Sequence, residues 1–122
     1  MKNILRVVSV LGTPYTIYQG TTLDFPDLCD CDGYCDTTIK AIVVSDMTEN
    51  AGKPGAKADL MHYQRKVIRH ELTHALLFES GLSNDSSWAE NEEVVDWIAI
   101  QFPKLEALFS QAGCNEPLKE GD

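Results

Sequence analysis

The sequence is short of several things, and each shortage excludes a class. Basic residues are few: 10 lysines and arginines stand against 19 acidic residues, for a net charge of −9. Such a surface repels phosphate backbones, so nucleic acid is not an expected partner. No apolar run approaches the roughly 20 residues needed to span a bilayer, so no membrane partner is expected either. The N-terminal stretch is broken by Asn3 and Arg6 and lacks a small-residue cleavage site. It does not read as a secretory signal, and the expected location is cytoplasmic. In that compartment Cys29, Cys31, Cys35 and Cys114 are expected to be reduced thiols.

A chain of 122 residues with 43% hydrophobic content supports one core and not two. A single domain over residues 1–122 is expected, with a polar, frayed tail over about 114–122. Residues 4–11 and 15–18 are β-rich and flank the turn signal Gly12-Thr13-Pro14, which predicts an antiparallel hairpin. Residues 20–38 carry several aspartates with Gly20, Pro26 and Gly33 and read as loop. Residues 39–45 read as a third strand, and 49–58 as a second loop.

From Asp59 the apolar period changes to that of a helix, which is expected to run to Gly81. Ser87 and Glu90 have the spacing of a capping box, and a second helix is expected over about 88–102. Pro103 is expected to end it and open a third helix running to Gly113. Trp88 and Trp97 read as core residues, and the width of Leu76-Leu77-Phe78 leaves one of them exposed. The predicted class is α+β: a three-stranded, antiparallel-type sheet followed by three helices.

The decisive stretch is Arg69-His70-Glu71-Leu72-Thr73-His74, which contains H-E-x-x-H. Residues four apart share a helix face, so the two imidazoles can converge on one zinc ion, with Glu71 beside the open position as general base. Chance alone produces this pattern in about one such chain in a few hundred, but here it falls in a predicted helix. A catalytic zinc site needs a third protein ligand. The next helix offers Glu90, Glu92, Glu93 and Asp96. Glu92 and Asp96 share a face flanked by Val95 and Ala99, whereas Glu93 is rotated by about 100°. That face favours Glu92 as the ligand, with Glu90 and Glu93 as alternatives. Asp96 is then the carboxylate that orients a ligand histidine.

His70-Glu71-x-x-His74 followed by Asn91-Glu92-x-x-x-Asp96 resembles the gluzincin pattern. The small size, the preceding strands and the Glu92-x-x-Val95-Asp96-x-x-Ala99 run resemble the ImmA/IrrE-type metallopeptidases, which are often encoded by phages and mobile elements. Val95-Asp96 stands where that group usually has Ala-Asn. The resemblance, over about residues 39–102, implies a zincin-like fold, one Zn2+ per chain, and hydrolysis of a peptide bond in a protein or peptide substrate, in that group a regulator. It also implies that the strand before the motif helix pairs with the substrate, so that Ala41, Val43 and Ser45 would line the cleft. The rival expectation is a zinc-binding regulatory module without effective catalysis.

Other residues are less informative. Cys29-x-Cys31-x3-Cys35 lacks paired zinc spacing and reads as thiols in an acidic turn. His62, Tyr63 and Tyr34 are candidate oxyanion donors, though Tyr63 reads better as packing and His62 as solvated. Arg65, Lys66 and Arg69 read as a solvated helix face.

Overall fold

A computed structural model describes residues 2–116 and 118 of the chain. Part of the expected tail, residues 117 and 119–122, lies outside the described residues. The chain is α+β, and its sheet has four strands in the order β1-β2-β4-β3: β1 Asn3–Val10, β2 Thr13–Gly20, β3 Gly33–Asp36 and β4 Ala41–Ser45. The helices are α1 Leu60–Glu79, the single turn α2 Leu82–Asp85, and α3 Glu92–Gln111.

The hairpin forms as expected, but its turn is Leu11-Gly12, both at positive φ (50° and 91°). Thr13 and Pro14 belong to β2. Positive φ at both central residues matches the twist of the flanking strands. Pro14 has no N–H to donate, and it is tolerated because the β2–β4 ladder begins only at Thr16.

The expectation of three antiparallel strands is corrected. β3, inside the segment read as loop, is a fourth strand, and β2 pairs with β4 in parallel. β4 lies between β2 and β3, and β3 runs opposite to β2, so the turn back into β4 makes β4 parallel to β2. Gly33-Tyr34-Cys35-Asp36 escaped notice because it is short and its glycine and aspartate are poor strand formers. Its pairing with β4 holds it in place.

Central strand β4 is buried at every position. Ile42 packs with Tyr15, Ile17 and Ala75, and Val44 with Met47 and Val67. Helix α1 lies over the sheet through one stripe, Gln64, Val67, Glu71 and Ala75. Asp59 starts this helix by accepting from His62 N at 3.0 Å. At the other end Glu79 accepts from Tyr15 Oη and Lys40 Nζ, each at 2.7 Å, and so fastens the helix to the hairpin.

The second correction concerns α3. Pro103 neither ends a helix nor begins one: it lies inside α3. A proline within a helix leaves the carbonyl four residues back without its N–H donor. Here that carbonyl belongs to buried Ala99, and Arg69 Nε donates to it at 2.6 Å. The helix therefore continues because α1 supplies the missing hydrogen bond. The capping box is also displaced. Ser87–Glu90 is a 3-10 turn, and Asn91 caps α3 by accepting from Val94 N at 3.0 Å.

Trp88 and Trp97 are exposed, not core. Helix α3 packs on the body through Val95 and Ala99, and Trp97, two residues after Val95, faces away at 56% exposure. In the other apolar run Leu77 is buried and Leu76 is the exposed member.

Arg69→Ala is predicted to cost about 1–3 kcal/mol in urea unfolding, because it orphans a buried carbonyl. The loss should shrink in a Pro103→Ala background, where residue 103 regains an N–H for Ala99. Equal losses in both backgrounds would contradict the brace.

Candidate metal centre

Helix α1 sets the local geometry. Glu71 lies in its buried stripe, 8% exposed. His70 and His74 are turned from Glu71 to the same side of the helix, by about 100° and about 60°, toward α3. Their rings meet edge to face with centroids 5.0 Å apart. Helix α3 brings its first residue, Glu92, across the gap. Glu92 Oε1 is 2.9 Å from His70 Nε2 and 3.1 Å from His74 Nε2. Ligand atoms held about 2.05 Å from a tetrahedral ion lie about 3.3 Å apart. The donor set therefore fits zinc after a slight expansion. His70, His74 and Glu92 form the group among the described residues whose ligand atoms lie within 4.8 Å of one another.

The remaining atoms are arranged to keep this set in register. His70 Nδ1 is 3.0 Å from Asp96 Oδ1, so donation to Asp96 leaves Nε2 as the free nitrogen. The same Oδ1 accepts from Lys66 Nζ at 3.0 Å. Burial opposes ionisation of Asp96, but hydrogen bonds from Lys66 and His70 outweigh it and hold the pKa below the usual value. Burial likewise opposes ionisation of Glu92, and the His74 and His70 contacts override it. The start of α3 adds the positive end of a helix dipole beside that carboxylate. Glu71 goes the other way. Desolvation pushes its pKa up, against the opposing pull of His70 and His74.

The group borders an open cleft of about 720 Å³ between α1, α3 and the β3 edge. Three of the four expected ligand candidates divide cleanly. Glu92 joins the histidines, Glu90 reaches only the cleft wall, and exposed Glu93 is outside it. Tyr34 and Tyr63 line the cleft, but Tyr63 Oη donates to Asp32 and its pKa is pushed up to about 12, first by burial and then by that hydrogen bond. Exposed His62 is not part of the cleft wall.

The expectation that Ala41, Val43 and Ser45 line the cleft is corrected. β4 is paired on both sides, so its backbone has no free edge for a substrate strand. The edge beside α1 is β3, the strand missed in the sequence. Gly33 makes that approach possible: a Cβ there would fall 2.6 Å from Val67 Cγ1 and 3.1 Å from Val43 O. Cys31 and Cys35 also border the cleft. Burial first, then the Glu71 charge, push Cys35 up to about 11, so its thiol is protonated near neutral pH.

No protein-family model, curated protein or solved structure matches the chain. No helix among the described residues is long and apolar enough to cross a membrane.

Zinc added to metal-free protein is predicted to bind one ion per chain and raise the unfolding free energy, by about 2.7 kcal/mol at a hundredfold excess over Kd. His74→Ala and Glu92→Ala should lose stoichiometric binding. Asp96→Ala should weaken it by about 10–100-fold. Unchanged affinity in all three, by competition with a chromogenic chelator, would place the metal elsewhere.

Proposed function

We propose that this chain is a zinc-dependent peptidase of the gluzincin type, similar to the ImmA/IrrE metallopeptidases, acting on a peptide bond of a protein substrate. One observation carries the reading. Two imidazole nitrogens on α1 and one carboxylate on α3 converge from one side, with Glu71 next to them and an open cleft on the other side. A purely structural zinc site is closed by four protein ligands, whereas a catalytic one has three and an open position.

Zinc held by His70, His74 and Glu92 would polarise the scissile carbonyl and acidify water. Glu71 would accept the proton of the attacking water on a carboxylate oxygen and pass it to the leaving amine. Its burial suits the role, since a desolvated carboxylate is a stronger base than an exposed one. Asp96 and Lys66 would hold the His70 ring at the angle its Nε2 requires. Asp96 Oδ1 accepts at the back of that ring, and Lys66 keeps Asp96 ionised.

β3 supplies a place for an extended substrate. Ser45 N donates to Asp32 O at 2.9 Å, which fixes the alternation of the β3–β4 ladder. In an antiparallel pair hydrogen-bonded and non-bonded positions alternate, so the backbone groups of Gly33 and Cys35 turn away from β4, toward the open edge. A peptide pairing there would lie alongside α1 and bring its backbone to the metal.

Glu71→Gln is predicted to abolish hydrolysis while zinc stays at one per chain. The check is cleavage of a protease-substrate peptide library read by mass spectrometry, with elemental analysis of the same preparation. Wild-type turnover by the zinc-loaded variant would remove Glu71 from the mechanism.

A further inference from the structure

A second concavity opens on the far side of Tyr63 and Lys66, which both it and the metal cleft share. It is a groove of about 520 Å³ between α1 and α3. Its charge is opposite to that of the molecule. The chain carries −9 with 10 lysines and arginines, yet Lys57, Lys66, Arg69 and Lys104 all line this groove. They converge for a structural reason. Lys66 and Arg69 lie on one face of α1, and Lys104 follows Ile100 by one helical turn on α3.

The groove has few charges of the other sign. Lys66 is paired with Asp96. Asp59, the one carboxylate on the groove wall, is engaged as the α1 cap. Among the described residues, no carboxylate pairs with Lys57, Arg69 or Lys104. The floor between these cations is apolar, made by half-exposed Ile100 and by Pro103. The Tyr63 ring closes the inner end, with Lys57 Nζ at 5.8 Å and Lys66 Nζ at 5.4 Å from its centroid.

We infer that this groove docks an acidic peptide segment bearing an apolar side chain, the acidic groups meeting Lys57, Arg69 and Lys104 and the apolar one resting on Ile100 and Pro103. Charge complementarity selects the partner: in a molecule that repels polyanions overall, an unpaired local cation cluster attracts a short acidic stretch. The apolar floor favours side chains over phosphodiester. Because the groove and the metal cleft share Tyr63 and Lys66, a segment docked here would leave the adjoining backbone of the same protein beside the metal cleft. That link to hydrolysis rests on the peptidase reading, whereas docking itself does not.

The test is selection from a displayed library of random dodecapeptides on the full chain carrying Glu71→Gln, which keeps bound peptides intact. It is repeated with Lys57→Glu and Lys104→Glu added, two exposed positions outside the metal site. Enriched peptides should combine Asp or Glu with Leu, Ile or Phe. A synthetic one should shift the amide resonances of His62, Arg69 and Ile100, and bind about tenfold or more weakly to the charge-reversed protein. Enrichment without acidic residues, or equal binding to both proteins, overturns the proposal. Tighter binding of a single-stranded oligodeoxynucleotide in the same groove also overturns it, in favour of nucleic acid. Zinc content, measured in parallel, separates the two readings. Docking without stoichiometric zinc sinks the peptidase and leaves the groove, and stoichiometric zinc with cleavage by the wild-type chain but no acidic docking does the reverse.

Discussion

The site depends on one packing relation, the docking of α3 against α1. The histidines are fixed by helical period within α1, but the third donor belongs to another helix, and a displacement of about 1 Å would spoil a zinc site. Three kinds of contact hold the two helices in register. Val95 and Leu77 share a small core with Ala89. Arg69 donates to the Ala99 carbonyl that Pro103 leaves open. Asp96 joins Lys66 and His70 through a single carboxylate oxygen. The contacts that place the donors and those that hold the helices together therefore come from adjacent residues. Lys66, His70 and Arg69 belong to two successive turns of one helix; the first two meet at Asp96 and the third reaches Ala99 on α3.

Glu71 is placed by a different partner. It sits in the stripe that packs on the sheet, in the wall of the cleft that His70, His74 and β3 also line. That position desolvates its carboxyl and puts it beside the outer edge of β3. Gly33 is the residue that lets β3 come close, since any side chain there would meet Val67. Glu71, the two histidines, Glu92 and the β3 edge thus border one cleft, and the second groove adjoins it through Tyr63 and Lys66.

What was legible in the sequence was local. H-E-x-x-H works at the scale of one helical turn, so the convergence of His70 and His74 beside Glu71 could be read without knowing the fold. Glu92 and Asp96 were legible for the same reason, since four-residue spacing puts them on one face, although only the docking of α3 selects Glu92 over Glu90 and Glu93. Strand order was not legible. β3 is short, carries weak strand formers and exists by pairing with β4, so the cleft edge was assigned to Ala41, Val43 and Ser45, which lie inside the sheet. Pro103 misled for a related reason. A rule about one helix predicted a break, and a side chain from another helix removed it. The same tertiary contact gives Arg69 a role that its membership of a basic helix face did not suggest.

Zinc is expected to be held by two imidazoles and a carboxylate, with an open position, and not by the thiols of Cys31 and Cys35 that border the same cleft. X-ray absorption at the zinc edge of the loaded protein tests this most directly. The predicted spectrum has nitrogen and oxygen scatterers alone at about 2.0–2.1 Å, four in all, with imidazole outer-shell features from two rings. A sulfur shell at about 2.3 Å would contradict the assignment and with it the catalytic reading.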